Sequence, residues 1–383
     1  MVIIKKIIRQ VLLLGAILLY QFSFNCQAAI SPTVRVQVLR EMKRVRLDVS
    51  GAFSLKIVDN DTVILKKESA GNLLIQGTPY GFDIEGKEAR GKRIEISRLD
   101  DGPISVNSRL FRGNLRFVKD GVLSFFAVNY VDLEDYIRGV LYHEISHLWP
   151  SEAIKAQAVL VRTFALSQMG TSKDKEFDLT NDIYSQMYGG RTSERFRLNN
   201  AVDETKNEVI TFDAKIFPAY YHATCSGHTE DAKNLWDIDL LPLRGVACPY
   251  CKDSPHYKWD TYIGLDELRS KLRSSGFKVG KIKAIEITRH SNSNRILELK
   301  IISDSSNLKI SGKAFREAVG PNVLRSNNFE VRLERDKAFF EGLGWGHGVG
   351  LCQWGAYFMG KEGFNYRQIL EFYYPGSKLE KIN

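Results

Sequence analysis

Leu133–Met169 reads LEDYIRGVLYHEISHLWPSEAIKAQAVLVRTFALSQM, and its reading decides the fold. Two helical patterns meet at Trp149-Pro150. Proline suits a first helical position and serine suits a cap, so the second helix is expected to start at Pro150 or Ser151 and to close at Gly170. That second pattern carries Ala153, Ile154, Ala156, Ala158, Val159, Val161, Phe164, Ala165 and Leu166. A helix apolar on nearly every side belongs inside a protein. It also carries Lys155, Gln157 and Arg162. Lys155 and Arg162 are seven residues apart and share a face. Buried cations need partners, and the carboxylate they are expected to face is Glu144, at the break between the two patterns. Such an arrangement would hold one acid in a tuned environment for proton transfer.

Outward from this stretch the patterning changes. From Ser31 to about Asn129 apolar and polar residues alternate, as in TVRVQVL, VRLDV, RIEIS and LRFVKD, with turns at Asn60-Asp61, Asp101-Gly102 and Asp120-Gly121. This predicts a β-rich region with short hairpin connections. Downstream, a helix near Asn199–Asn207, a strand–turn–strand over Glu208–Ala223 and helices at Leu265–Ser275, Gly312–Val319 and Tyr366–Tyr373 are expected. Lys283–Ile310 reads as a hairpin. The fold class is therefore α+β. A β-rich N-terminal region at 30–129 precedes a mixed helical and strand core at 130–383, with an α/β insertion at 265–340.

Lys5, Lys6 and Arg9 precede a short apolar run, Val11–Phe24, and small residues follow at Ala28-Ala29. Residues 1–29 read as a secretory signal, cleaved near Ala28 or Ala29 or retained as an anchor, and either way the chain is exported. The formal charge is +9, and the leader takes away three cations and no acids, leaving +6. That balance suits an anionic polymer. Nothing in the chain resembles a nucleic-acid module.

The stretch LEDYIRGVLYHEISHLWPSEAIKAQAVLVRTFAL resembles the core motif of the SpoIID/LytB family, the bacterial sporulation stage II protein D group. PAYYHATCSGHTEDAKNLW and GWGHGVGLCQWGAYFMGKEGFNYRQILEFYYPG resemble two further motifs, in the family's order, so the likeness covers most of Val131–Ser377. It implies a peptidoglycan lytic transglycosylase with Glu144 as the catalytic acid. It also implies glycan strands, stripped of stem peptides, as substrate and an N-acetylmuramoyl-L-alanine amidase as partner. Relatives of the LytB type imply the rival reading, a non-catalytic amidase enhancer. The chemistry needs no cofactor.

Glu144 is flanked by His143 and His147 in HEISH, which matches the spacing of a zinc-protease motif. That reading needs one continuous helix, whereas Ser146–Pro150 reads as a helix ending. His143, Lys155 and Arg162 are expected around the acid. In DIYSQMYGG, Gln186 and Tyr188 are expected to meet sugar hydroxyls or acetamido groups, and Tyr221 to stand in the cleft wall. GWGHGVGLCQWG brings His347, Gln353 and Trp354 as candidate substrate contacts, with Trp345 and Trp354 offering flat faces to a sugar ring. Cys352 reads as a small buried residue. Cys225-x-x-His228 and Cys248-x-x-Cys251, with His222 as a further candidate, have spacing typical of a closed, structural zinc; a disulfide is the rival.

Overall fold

Alternation sets the first layers. Strand Arg44–Val49 buries Val45, Leu47 and Val49 and exposes the residues between them, as a half-buried pleated strand must. The computed structural model describes residues 31–172, 176–182 and 185–382; the leader read at 1–29 lies outside them. A seven-stranded sheet runs in the order Leu179–Thr180, Thr33–Met42, Phe125–Asp132, Asn114–Lys119, Arg93–Arg98, Phe53–Ile57, Thr62–Lys67. A six-stranded sheet runs Arg109–Phe111, Ile104–Val106, Arg44–Val49, Gly71–Thr78, Gly81–Ile84, Lys87–Arg90. The inward faces of both share one apolar core, where Phe82 of the smaller sheet meets Phe125 of the larger edge-on at 5.6 Å.

Eight α-helices are described: α1 Leu133–Glu144, α2 Ser151–Thr171, α3 Phe196–Glu204, α4 Lys233–Trp236, α5 Leu265–Ser274, α6 Gly312–Val319, α7 Gln353–Lys361 and α8 Tyr366–Tyr373. The fold is α+β, with the β-rich region first. Asp132 caps α1 by accepting from the Glu134 and Asp135 N–H groups, which otherwise lack helical partners. Helix α2 follows Pro150 and buries twelve residues, from Ala153 to Ala165. Gly170 does not close it: the helix runs on to Thr171, and its cap residue Ser172 has φ -106.

The first core extends over α1, α2, α7 and α8. A second core gathers around two three-stranded sheets, Lys258–Gly264/Lys337–Leu343/Phe329–Glu334 and Ile282–His290/Ile296–Ser303/Asn307–Ser311, with α5 and α6. Thr33–Ile382 form one compact unit that contains both cores. Among the described residues no helix is long and apolar enough to cross a membrane.

Candidate active site

Glu144 is the last residue of α1, and Ile145 after it is extended. The helix therefore stops inside HEISH, so His143 and His147 are not on consecutive turns of one helix. His143 Nε2 instead meets the Ser193 hydroxyl at 2.7 Å, and His147 stacks on Tyr142. The protease reading loses the geometry it requires.

Glu144 opens into a cleft of about 710 Å³. One wall comes from the first core: His143, Gln186, Met187, Tyr221, His222 and Gln353. Further lining comes from α6 and the segment after it, with Lys313, Arg316 and Asn322, and from Trp345 and His347 of the glycine-rich loop. Burial pushes the Glu144 carboxyl up to about 7, against the opposing pull of the Met187 N–H and the Tyr221 hydroxyl. The second of those donors ends a directed chain. Tyr136 O–H donates to Gln186 Oε1 at 2.9 Å, and Gln186 Nε2 donates to the Tyr221 oxygen at 3.2 Å. The Tyr221 hydroxyl in turn is hydrogen-bonded to Glu144. From the far side, Gln353 Nε2 donates to the Glu144 backbone carbonyl at 2.9 Å and to Gln157 Oε1 at 3.3 Å. Gln353 is the first residue of α7, so the start of that helix is tied to the end of α1. Another cleft acid, Asp182, is ion-paired with Arg40 at 2.6 Å.

The glycine-rich loop reaches the cleft because Gly344, Gly346, Gly348 and Gly350 all take positive φ. At Gly348 a Cβ would stand 2.4 Å from the Arg295 guanidinium carbon. His347 Nδ1 accepts the Val349 N–H at 3.1 Å. Desolvation, helped by Arg316, holds its imidazole down at about 3, so it is neutral.

Four expected contacts are placed elsewhere. Arg162 does not face Glu144. Its guanidinium is buried and forks onto Glu134 at 2.8 and 2.7 Å, and its third nitrogen reaches the Glu208 carbonyl. Lys155 pairs with Glu152 and Glu204. Tyr188 is buried, lies against Tyr136 at 5.2 Å between ring centres and donates to Asn129. The close approach leaves no room at Gly139, where a Cβ would stand 2.4 Å from the Tyr188 ring. Trp354 packs against Trp149 and Tyr357 at 4.9 and 5.1 Å, and it is Trp345 that lines the cleft. Gln186 lines the cleft but is buried as a link in the Tyr136–Tyr221 chain. Lys313 and Arg316 were not foreseen, because nothing in their local sequence marks α6 as a cleft wall.

The cysteines converge differently from the expected set. Cys225, Cys248 and Cys251 meet Cys352, with all four sulfur atoms within 4.8 Å of one another and all four residues buried and unbridged. His228 turns Nδ1 toward the Thr229 carbonyl, and His222 turns Nδ1 toward the Val349 carbonyl. Neither joins the sulfur cluster.

A family described as "Stage II sporulation protein" matches residues 124–212, which include Glu144, and a domain of unknown function matches residues 243–350. An uncharacterized protein of Brachyspira hyodysenteriae is 34% identical over 351 residues, 91% of this chain and 93% of that one. Stage II sporulation protein D of Bacillus subtilis is 28% identical over 273 residues, 67% of this chain and 77% of its own. The amidase enhancer of the same organism is 25% identical over 291 residues, 63% of this chain and 40% of its own.

Proposed function

The chain belongs to the stage II sporulation protein (SpoIID) family, and from that premise we propose that it acts at the cell wall as a lytic transglycosylase of peptidoglycan glycan strands. The observation that carries this reading is Glu144: a carboxyl raised to about 7, hydrogen-bonded and lining a cleft of about 710 Å³. A group titrating near neutrality serves both as acid and as base.

In the proposed reaction, protonated Glu144 gives its proton to the glycosidic oxygen as the C1–O bond breaks. The cation-like centre at C1 is stabilised by the dipoles of the cleft. The C6 hydroxyl of the same sugar then attacks C1 and returns its proton to the Glu144 carboxylate. One bond is broken and one formed, the enzyme ends as it began, and the new end is a 1,6-anhydro sugar. No water enters, and the tethering of the C6 hydroxyl supplies much of the rate. One carboxyl suffices where hydrolysis needs two.

The substrate class is glycan already stripped of stem peptides, which makes an N-acetylmuramoyl-L-alanine amidase the functional partner and the outer side of the membrane the site of action. The test is to incubate the full chain with stripped glycan and look for anhydro ends by mass spectrometry. Wild type should give them; Glu144→Gln should give none while still binding strands. The amidase-enhancer relative favours one second reading, in which the cleft binds glycan or amidase without cutting. A wild type that yields no anhydro ends but accelerates an amidase establishes that reading and removes the first.

A further inference from the structure

We propose that Cys225, Cys248, Cys251 and Cys352 bind one thiophilic divalent cation, of the zinc class, as a closed four-sulfur site beside the cleft. The proposal stands apart from the glycan reading, and three independent observations carry it.

The first is geometry. Zinc bound to sulfur at roughly 2.3 Å in a tetrahedron needs sulfur atoms about 3.8 Å apart. All four sulfurs here lie within 4.8 Å of one another, with Cys225 and Cys251 at 3.4 Å. They converge on a single point and not as two facing pairs. The second is charge. Arg295 is only 1% exposed. Its guanidinium donates to the carbonyls of Cys225 and His228 and to the Ser293 hydroxyl, and its Nε has no partner among the described residues. Glu230, the carboxylate nearest in hydrogen-bond terms, is one hydroxyl away, through Ser293. A buried cation with neutral partners is costly. Four thiolates around a divalent ion carry two net negative charges, and Arg295 stands beside them.

The third is the set of donors aimed at sulfur. Cys352 Sγ accepts N–H groups from Cys225 and Gly355, both at 3.3 Å, and the Tyr373 hydroxyl meets Cys248 Sγ at 3.1 Å. Such donors stabilise ligating thiolates and fix their orientation. Four soft ligands with no open position select a zinc-like ion in a structural role over a catalytic one. The ion would join three segments: the Cys225 turn, the C-x-x-C loop and the start of α7. Cys352 directly precedes Gln353, which holds the Glu144 carbonyl.

The experiment is metal analysis of the full purified chain, with cobalt(II) reconstitution read optically. One equivalent of zinc and a four-thiolate cobalt spectrum are expected. Cys352→Ser should lose both, and His228→Ala should keep both. Arg295→Met keeps all four ligands, so it reports on the site even where Cys352→Ser fails to fold; it should weaken metal binding roughly tenfold in chelator competition. Two disulfides, metal-free thiols, or a Cys352→Ser chain that keeps its metal would each overturn the proposal.

Discussion

Glu144 is held between two opposing influences. Burial drives its carboxyl up, and hydrogen bonds from Met187 and Tyr221 draw it back, with the balance at about 7. The donor chain from Tyr136 through Gln186 to Tyr221 ends on this carboxyl, so it acts chiefly on the ionised form. Tyr221→Phe removes one of those donors and should raise the carboxyl further. The expected result is a basic limb of the kcat/KM profile displaced upward by roughly half to one pH unit, read with stripped glycan as substrate. A profile that keeps its limb while falling in height would assign Tyr221 to binding alone. The same balance has a consequence for stability. The folded value lies above the ordinary 4.5, so Glu144 costs nothing below about pH 4.5, its cost grows as pH rises from there to about 7, and above that it stays constant. Glu144→Gln should therefore be more stable than wild type at pH 8, by about 2 kcal/mol after allowance for partial exposure, and equal to it at pH 4. Urea unfolding at the two pH values measures the difference.

Helix α2 owes its burial to a match between an apolar surface and one well-partnered cation. Arg162 reaches Glu134 on α1 and the Glu208 carbonyl, and Glu134 also accepts the Asn207 N–H. The pair joins α1, α2 and the strand at Glu208 behind the site, so Arg162 positions the helix that ends in Glu144 without touching the cleft. Breaking a buried pair on one side strands the other charge, at about 3–5 kcal/mol. Arg162→Leu should lose stability by that amount, and adding Glu134→Leu should recover much of it, as double-mutant unfolding curves would show. An Arg162→Leu chain with normal stability but no glycan binding would return Arg162 to the cleft. The start of α2 was legible in the sequence because Pro150 and the apolar spacing act locally, whereas its end was not, since the helix passes Gly170 to Thr171. The partner of Arg162 was not, since Glu134 lies 28 residues away and only the packing of α1 on α2 brings it close. Cys352 was hidden for the same reason: the cysteines whose sulfur atoms it meets, Cys225, Cys248 and Cys251, lie in segments far earlier in the chain, and a lone cysteine in a glycine-rich turn looks like packing.

The cleft belongs to neither core alone. The first core supplies Glu144, Tyr221 and Gln353, and the second supplies Lys313 and Arg316 through α6. The glycine run and the helix end at Glu144 were legible as separate motifs, but α6 was not legible as part of the cleft, because its packing beside them is tertiary and no local spacing encodes it. Arg316 is spent on its own neighbourhood, donating to the Leu324 and Arg325 carbonyls. Among the described residues Lys313 makes a single hydrogen bond, to the Leu235 carbonyl at 3.2 Å, and keeps donors to spare. A glycan bearing a carboxylate on alternate sugars would find this ammonium in the same cleft as Glu144. Charge contacts of this kind are worth little and are screened by salt. Lys313→Gln should therefore raise KM for stripped glycan about threefold to tenfold at low salt and leave kcat within about twofold. At about 1 M salt, where the screening length falls to about 3 Å, the two proteins should have the same KM. A variant that instead loses kcat and stability together, at every salt concentration, would mean that Lys313 fastens α6 to Leu235 and takes no part in holding the strand.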